Sequence, residues 1–257
     1  MRTVLTRAFA ACCAFVLVLT AGAAAQGFDP YKKHIVDYGA PKDFPSNPHH
    51  DLLTCFYYHG LMVKQLRNDW NKGALFLSFL RFDKTRPACV KEHAPGEKVI
   101  GNSEWVGYFR GVVKGDLVFF DADDGNDGGM PFAVYDSKAE KKIFEDNAYA
   151  VWMWNRKLRP GRSPFNDIRV RTTQDGNVVL TYLRVLGTEC DIPNEEAECW
   201  PSLAKKLGLK AATPSCVRWD ENQTEGASAV AYPVETVLFP TPVTKTISGP
   251  VRCWPAD

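Results

Sequence analysis

Residues 105–146 read WVGYFRGVVKGDLVFFDADDGNDGGMPFAVYDSKAEKKIFED, and the class of fold turns on this stretch. Four short runs of aromatic and β-branched residues, WVGYFRGVV, LVFFD, MPFAVYD and KIFED, are parted by breaks rich in Gly, Asp and Lys. Such runs fit a pleated, half-buried surface, and the breaks supply turn chemistry. The pattern predicts an antiparallel meander in which each strand folds back on the one before it. In MPFAVYD, Phe132 and Val134 fall on one face while Ala133 and Tyr135 fall on the other, the period of a strand.

Upstream, LLTCFYY (52–58), LMVKQL (61–66) and ALFLSFL (74–80) are further strand-like runs, broken at His59-Gly60 and at the NDWNKG cluster. Residues 26–50 carry Pro30, Pro41, Pro45 and Pro48 without an apolar period, so an extended surface arm is expected there. Downstream, IRVRTT (168–173) and VVLTYLRVL (178–186) flank Asp175-Gly176, a strong hairpin signal. SAVAY (228–232), VETVLF (234–239) and VTKTIS (243–248) add three more runs. One helix is expected at about 195–207, capped by Asn194 and stopped at Gly208, with Pro201 in its first turn or at its start.

The stretch AVYDSKAEKKIF (133–144) resembles the hairpin of many β-propeller blades, in which an apolar strand ends in Asp and a short turn leads to Lys-Lys-apolar. Such blades carry Gly at the left-handed turn position, near which this chain has Glu140. The resemblance implies a blade-like hairpin and nothing wider. Taken together, the runs predict an all-β, mainly antiparallel fold. A small irregular propeller and a two-sheet sandwich both satisfy it, and the blade-sized meander tilts the choice towards the propeller.

The chain opens with Arg2 and Arg7, an apolar run from Ala8 to about Thr20 and the small-residue exit Ala23-Ala24-Ala25. This is the pattern of a signal peptide cut before Gln26, so a secreted or periplasmic protein is expected, a single domain over residues 26–257. Residues 1–25 hold two of the 31 basic residues and none of the 30 acidic ones, which leaves 29 against 30 after cleavage. That near-balance, with no block of like charge, gives nucleic acid or an anionic membrane surface nothing to attract, and no later run is long enough to span a bilayer. Six cysteines follow the signal: Cys55, Cys89, Cys190, Cys199, Cys216 and Cys253. An even count in an exported chain predicts disulfides. Cys55 with Cys89 is the expected local pair, and the other four, clustered in the last third, stay unassigned.

Asp121, Asp123, Asp124, Asn126 and Asp127 form the densest cluster of oxygen ligands in the chain. Calcium takes six to eight oxygens, so Asp121, Asp123 and Asp127 are the metal ligands to test, and calcium is the one cofactor the sequence offers. The spacing fails the EF-hand pattern, and a turn-rich loop whose Asp and Asn bond their own backbone accounts for the same residues. Asp124 and Asn126, with Trp152 and Trp154 on one face of a strand, are candidate ligand-binding residues, although two core tryptophans would look the same. His49 and His50 are adjacent and point apart if extended, which argues against joint ligation. No G-x-S-x-G, H-E-x-x-H or phosphate-loop motif occurs. The expected function is therefore a non-catalytic binding or structural module with a protein or carbohydrate partner. A hydrolase using the same aspartates is the alternative.

Overall fold

A computed structural model describes residues 29–40, 49–68, 73–100, 107–122, 125, 129–149, 168–210, 212–216 and 226–256. The expected signal segment lies outside them. The protein is mainly antiparallel β, in two sheets. The first has the order β1 (Lys32–Asp37), β2 (Asp51–Tyr58), β3 (Leu61–Asn68), β4 (Phe76–Arg81) and β5 (Lys98–Ile100). Of the 26–50 arm, the described residues 29–40 are largely exposed, and Lys32–Asp37 within them form an edge strand. The second sheet opens with the expected meander, β6 (Tyr108–Val113), β7 (Leu117–Asp121), β8 (Gly129–Asp136) and β9 (Lys141–Tyr149). It continues through β11 (Val178–Gly187), β12 (Ser228–Val237) and β13 (Val243–Thr246), while β10 (Arg169–Thr172) pairs with β11 and β14 (Arg252–Pro255) pairs with β12. Two sheets sharing a core fit the sandwich of the two architectures considered.

Alternation along the strands gives each sheet two working faces. Leu61, Val63, Leu77, Phe79 and Ile100 of the first sheet share a cluster with Phe109, Val112, Val118 and Phe120 of the second. The opposite face of the first sheet, with Leu53, Cys55, Tyr57, Met62 and Leu66, is covered by the segment that carries Phe82, Cys89 and Ala94. The opposite face of the meander, with Leu117, Phe119, Phe132 and Val134, joins Leu180, Tyr182, Val230 and Tyr232 under the helix α1 (Ile192–Leu207). Burial of a side chain such as Phe119 or Phe132, each at most 1% exposed, contributes about 2–3 kcal/mol. At one end of the interface Asp116 accepts from Arg81 at 2.9 Å and from Lys138 at 2.6 Å, which ties the two sheets together.

Three expectations need correction. The helix begins at Ile192, not Glu195, with Asp191 at its N-cap; Asn194 lies inside the first turn and donates to Asp191 at 2.9 Å. Pro201 sits in mid-helix rather than in the first turn. Its propensity cost is overridden by the packing of Ile192, Trp200 and Ala204 into the core and by the Cys190–Cys199 bridge. The runs SAVAY and VETVLF are one strand, β12, that passes through Pro233. Proline is tolerated because β14 pairs with residues 228–231 and β13 with 234–237, so its missing N–H falls in the gap between them. The chain crosses this gap at Gly249, where a Cβ would lie 2.8 Å from the Pro233 ring.

Cys55–Cys89 forms as expected, and the remaining four pair as Cys190–Cys199 and Cys216–Cys253. The β8–β9 turn places Glu140 at φ +52°, the left-handed position at which propeller-like hairpins carry Gly. Its ion pair with Lys98 joins two half-exposed side chains and is worth little. Glu140→Gly is therefore expected to stabilise the protein by about 0.5–1 kcal/mol. Urea denaturation with the bridges intact checks this, and a loss of stability would contradict it.

Candidate functional site

Of the sequence candidates the meander places Asp121, at one end of the second sheet. Asp121 closes β7, Gly129 opens β8, and Gly129 stands opposite Tyr149, the last described residue of β9. Gly107, just ahead of β6, packs so closely on Asp121 that a Cβ there would fall 1.6 Å from the Asp121 carbonyl oxygen. Four described points of the chain therefore stand side by side at this end: Gly107, Asp121 with Ala122, Gly129 and Tyr149. Asp123, Asp124, Asn126, Asp127, Trp152 and Trp154 lie outside the described residues.

Asp121 is described, and it points inward. Along β7 it shares a face with Leu117 and Phe119, and it is 1% exposed. Its Oδ2 takes both Nε and Nη2 of Arg110, while Oδ1 has no hydrogen-bond partner among the described residues. Burial raises the Asp121 carboxyl to about 6, against the pull of Arg110 and of nearby main-chain amides. A cation at Asp121 would have to compete with that guanidinium. Among the described residues, no three His, Cys, Asp or Glu side chains are grouped to hold a metal ion.

Across the same face runs a row that sequence reading did not find. Asp121 stands opposite Phe132, and Phe132 stands opposite Asp146 of β9. Asp146 accepts from the Tyr182 hydroxyl at Oδ2 and from Arg184 Nε at Oδ1, 2.8 Å away. The chain of contacts continues from Tyr182 to Thr236 at 3.3 Å and from Thr236 to Thr244 at 2.9 Å. Burial and the Asp146 charge push the Tyr182 hydroxyl far up, so it stays a donor. Burial works against the charge on Arg184, yet Asp146 holds it above its ordinary value. The usable signal was the parity of the strands, which puts Asp121 and Phe132 on the buried face.

A second buried network lies in the first sheet. Lys64 Nζ donates to the carbonyls of Val90 and Glu92 at 3.0 and 2.9 Å and to Glu97 Oε2 at 2.8 Å. Ser78 Oγ and His93 Nδ1 meet Glu97 Oε1 at 2.5 and 2.9 Å, and the Ala94 amide donates to Oε2. Burial alone would raise the Glu97 carboxyl; these partners bring it below its usual range. Ser78 bonds the acid rather than the histidine, so the trio is a clamp on the 82–97 segment and not a nucleophile with its base. An S-x-x-K spacing occurs at Ser202–Lys205, both exposed on α1, but only Ser202 of the two lines the neighbouring open groove of about 690 Å³.

No helix among the described residues is long and apolar enough to cross a membrane. Compared with models of protein families, with curated proteins and with solved structures, the chain matches none of them.

Proposed function

We propose that this chain is an exported, disulfide-stapled β module that binds a protein or carbohydrate partner through the segments rooted at the Asp121 end of its second sheet. The observation that carries the reading is the convergence of Gly107, Asp121 and Ala122, Gly129 and Tyr149 at that end. The segments rooted there hold Trp105, Asp123, Asp124, Asn126, Asp127, Trp152 and Trp154. Carboxylates beside indoles suit sugar hydroxyls and ring faces, and loops on a rigid scaffold are where binding residues concentrate. Calcium, if it contributes, would be held by Asp123 and Asp127 with main-chain oxygens rather than by the Arg110-bound Asp121. Export is supported by the residue 1–25 pattern together with the three disulfides.

Of the aspartates on which the hydrolase alternative rests, Asp121 is described, and the carboxylate that shares its sheet face is Asp146, outside that set, roughly 10 Å away along the strand-to-strand direction. Phe132, 1% exposed, occupies the position between them with its ring edge-on to Tyr182 at 5.2 Å. A substrate would have to displace that ring, so binding is the better account.

The test is retention on a saccharide array, with and without millimolar calcium, of the wild-type protein and of two variants: Trp152→Ala/Trp154→Ala and Asp123→Asn/Asp124→Asn/Asp127→Asn. Loss of about tenfold or more in affinity is expected in the tryptophan variant, with the melting temperature nearly unchanged. A destabilisation of about 3–5 kcal/mol in that variant would place both indoles in the core and sink the reading. Turnover of a retained saccharide would replace it with the hydrolase.

A further inference from the structure

Among the described residues the first sheet ends in β1, and the outer edge of that strand is complementary to itself. β1 pairs with β2 in the register Lys32 to Tyr57, Lys33 to Phe56, His34 to Cys55, and so on to Asp37 with Leu52. The Tyr38 amide donates to the Asp51 carbonyl, one step further along this register. Because main-chain groups alternate in direction along an antiparallel ladder, Tyr38, Val36, His34 and Lys32 turn their amides towards β2. Lys33, Ile35 and Asp37 turn theirs outward, where no strand among the described residues is paired with them. Around this edge stand four exposed apolar side chains, Tyr31, Ile35, Tyr38 and Val90, and Ile35 is 53% exposed. Exposed apolar edges are templates for another strand.

The sequence of the edge says which strand. Antiparallel pairing with a second copy must match outward residues to outward residues, and centring it on Ile35 sets Ile35 against Ile35 of the partner copy. Lys33 then faces Asp37 twice over, His34 faces Val36, and Lys32 faces Tyr38. No like charges meet. Asp37 stays ionised, since His50 at 2.9 Å and the Gly39 amide at 2.8 Å hold its carboxyl below the usual range. Lys33 has no carboxylate partner among the described residues, and its ammonium lies over the Phe56 ring at 5.5 Å. A lysine on an edge ordinarily repels other strands; here it selects the one that offers Asp at the matching place.

We propose that two copies of this chain join edge to edge through β1, antiparallel about a two-fold axis at Ile35, with reciprocal Lys33–Asp37 pairs. The interface is isologous, and it merges the two five-stranded sheets into one. About six main-chain hydrogen bonds would form, two for each outward pair. So small a contact predicts a dimer in the micromolar range.

The test is sedimentation velocity on the disulfide-bonded protein up to about 100 µM. Wild type is expected to dimerise, and Lys33→Asp and Asp37→Lys are each expected to stay monomeric, because each sets like charges opposite one another. An equimolar mixture of the two variants restores opposite charges at both contacts, so it is expected to form a heterodimer. Mixing cannot repair a merely misfolded strand. Ile35→Pro removes one outward amide, leaves the ladder to β2 intact and is expected to abolish the dimer. A monomeric wild type at the highest concentration, a Lys33→Asp protein that dimerises like wild type, or a mixture that stays monomeric would each overturn the proposal.

Discussion

Glu97→Ala is expected to destabilise the protein by about 3–5 kcal/mol, because it strands a buried ammonium. The Lys64 side chain is 1% exposed and that of Glu97 is wholly buried, although the Glu97 backbone reaches the surface. Without the carboxylate, Lys64 keeps the carbonyl dipoles of Val90 and Glu92 and the face of the Phe76 ring, 5.8 Å away, but no counter-charge. Ser78, His93 and the Ala94 amide lose their acceptor in the same step. Replacing both partners, as Lys64→Met with Glu97→Leu, removes the charges together and is expected to recover most of the loss. Guanidinium denaturation of the three proteins, bridges intact, is the measurement. A Glu97→Ala loss under about 1 kcal/mol would mean that water reaches the pair. The Cys55–Cys89 bridge and the Lys91–Asp51 pair at 3.0 Å hold the same segment, so the variant is expected to unfold earlier without losing its sheet pairing.

The second large effect is a pH dependence that runs opposite to ordinary acid denaturation. Asp121 titrates near 3.8 when exposed and at about 6 in the fold. Its charged form is thus disfavoured by folding, and the penalty is full above pH 6. It fades as the carboxyl takes a proton and is gone below about 3.8. The move corresponds to about 3 kcal/mol. Glu97, Asp51 and Glu235, held below their ordinary values, contribute stability that disappears as acid protonates them, so the whole-protein curve mixes the two trends. The difference between Asp121→Asn and wild type isolates the first. Stability measured every half unit from pH 4 to 8 is expected to show Asp121→Asn gaining on wild type by about 3 kcal/mol across that range. Parallel curves would show that Arg110 keeps Asp121 an ordinary carboxylate.

The strands were legible because period-2 alternation and Gly-Asp breaks are local. The meander, the Gly60 and Gly176 turns and the all-β class follow from residues a few places apart. Longer-range features were not. Pro233 reads as a break until the two strands that share the far side of β12 are known, and Pro201 reads as a start until the core beneath α1 is known. Lys64 and Glu97 stand 33 residues apart, and nothing nearby in sequence says that an ion pair is buried between them. Asp121 was misleading for another reason. It belongs to an acidic cluster by composition but to the row of Leu117 and Phe119 by strand parity, and parity governs where its carboxylate points.

β12 has one long neighbour, β11, and two short ones. The short pair are tethered by different means: β14 through the Cys216–Cys253 bond, and β13 through Thr246 to the last turn of α1 and Lys245 to Glu235. Fraying of one therefore need not peel away the other. That rim of the molecule behaves as two separately hinged shutters, of which reducing agents would loosen directly the one nearest the C-terminus, and the other only through α1, which the Cys190–Cys199 bridge helps to hold.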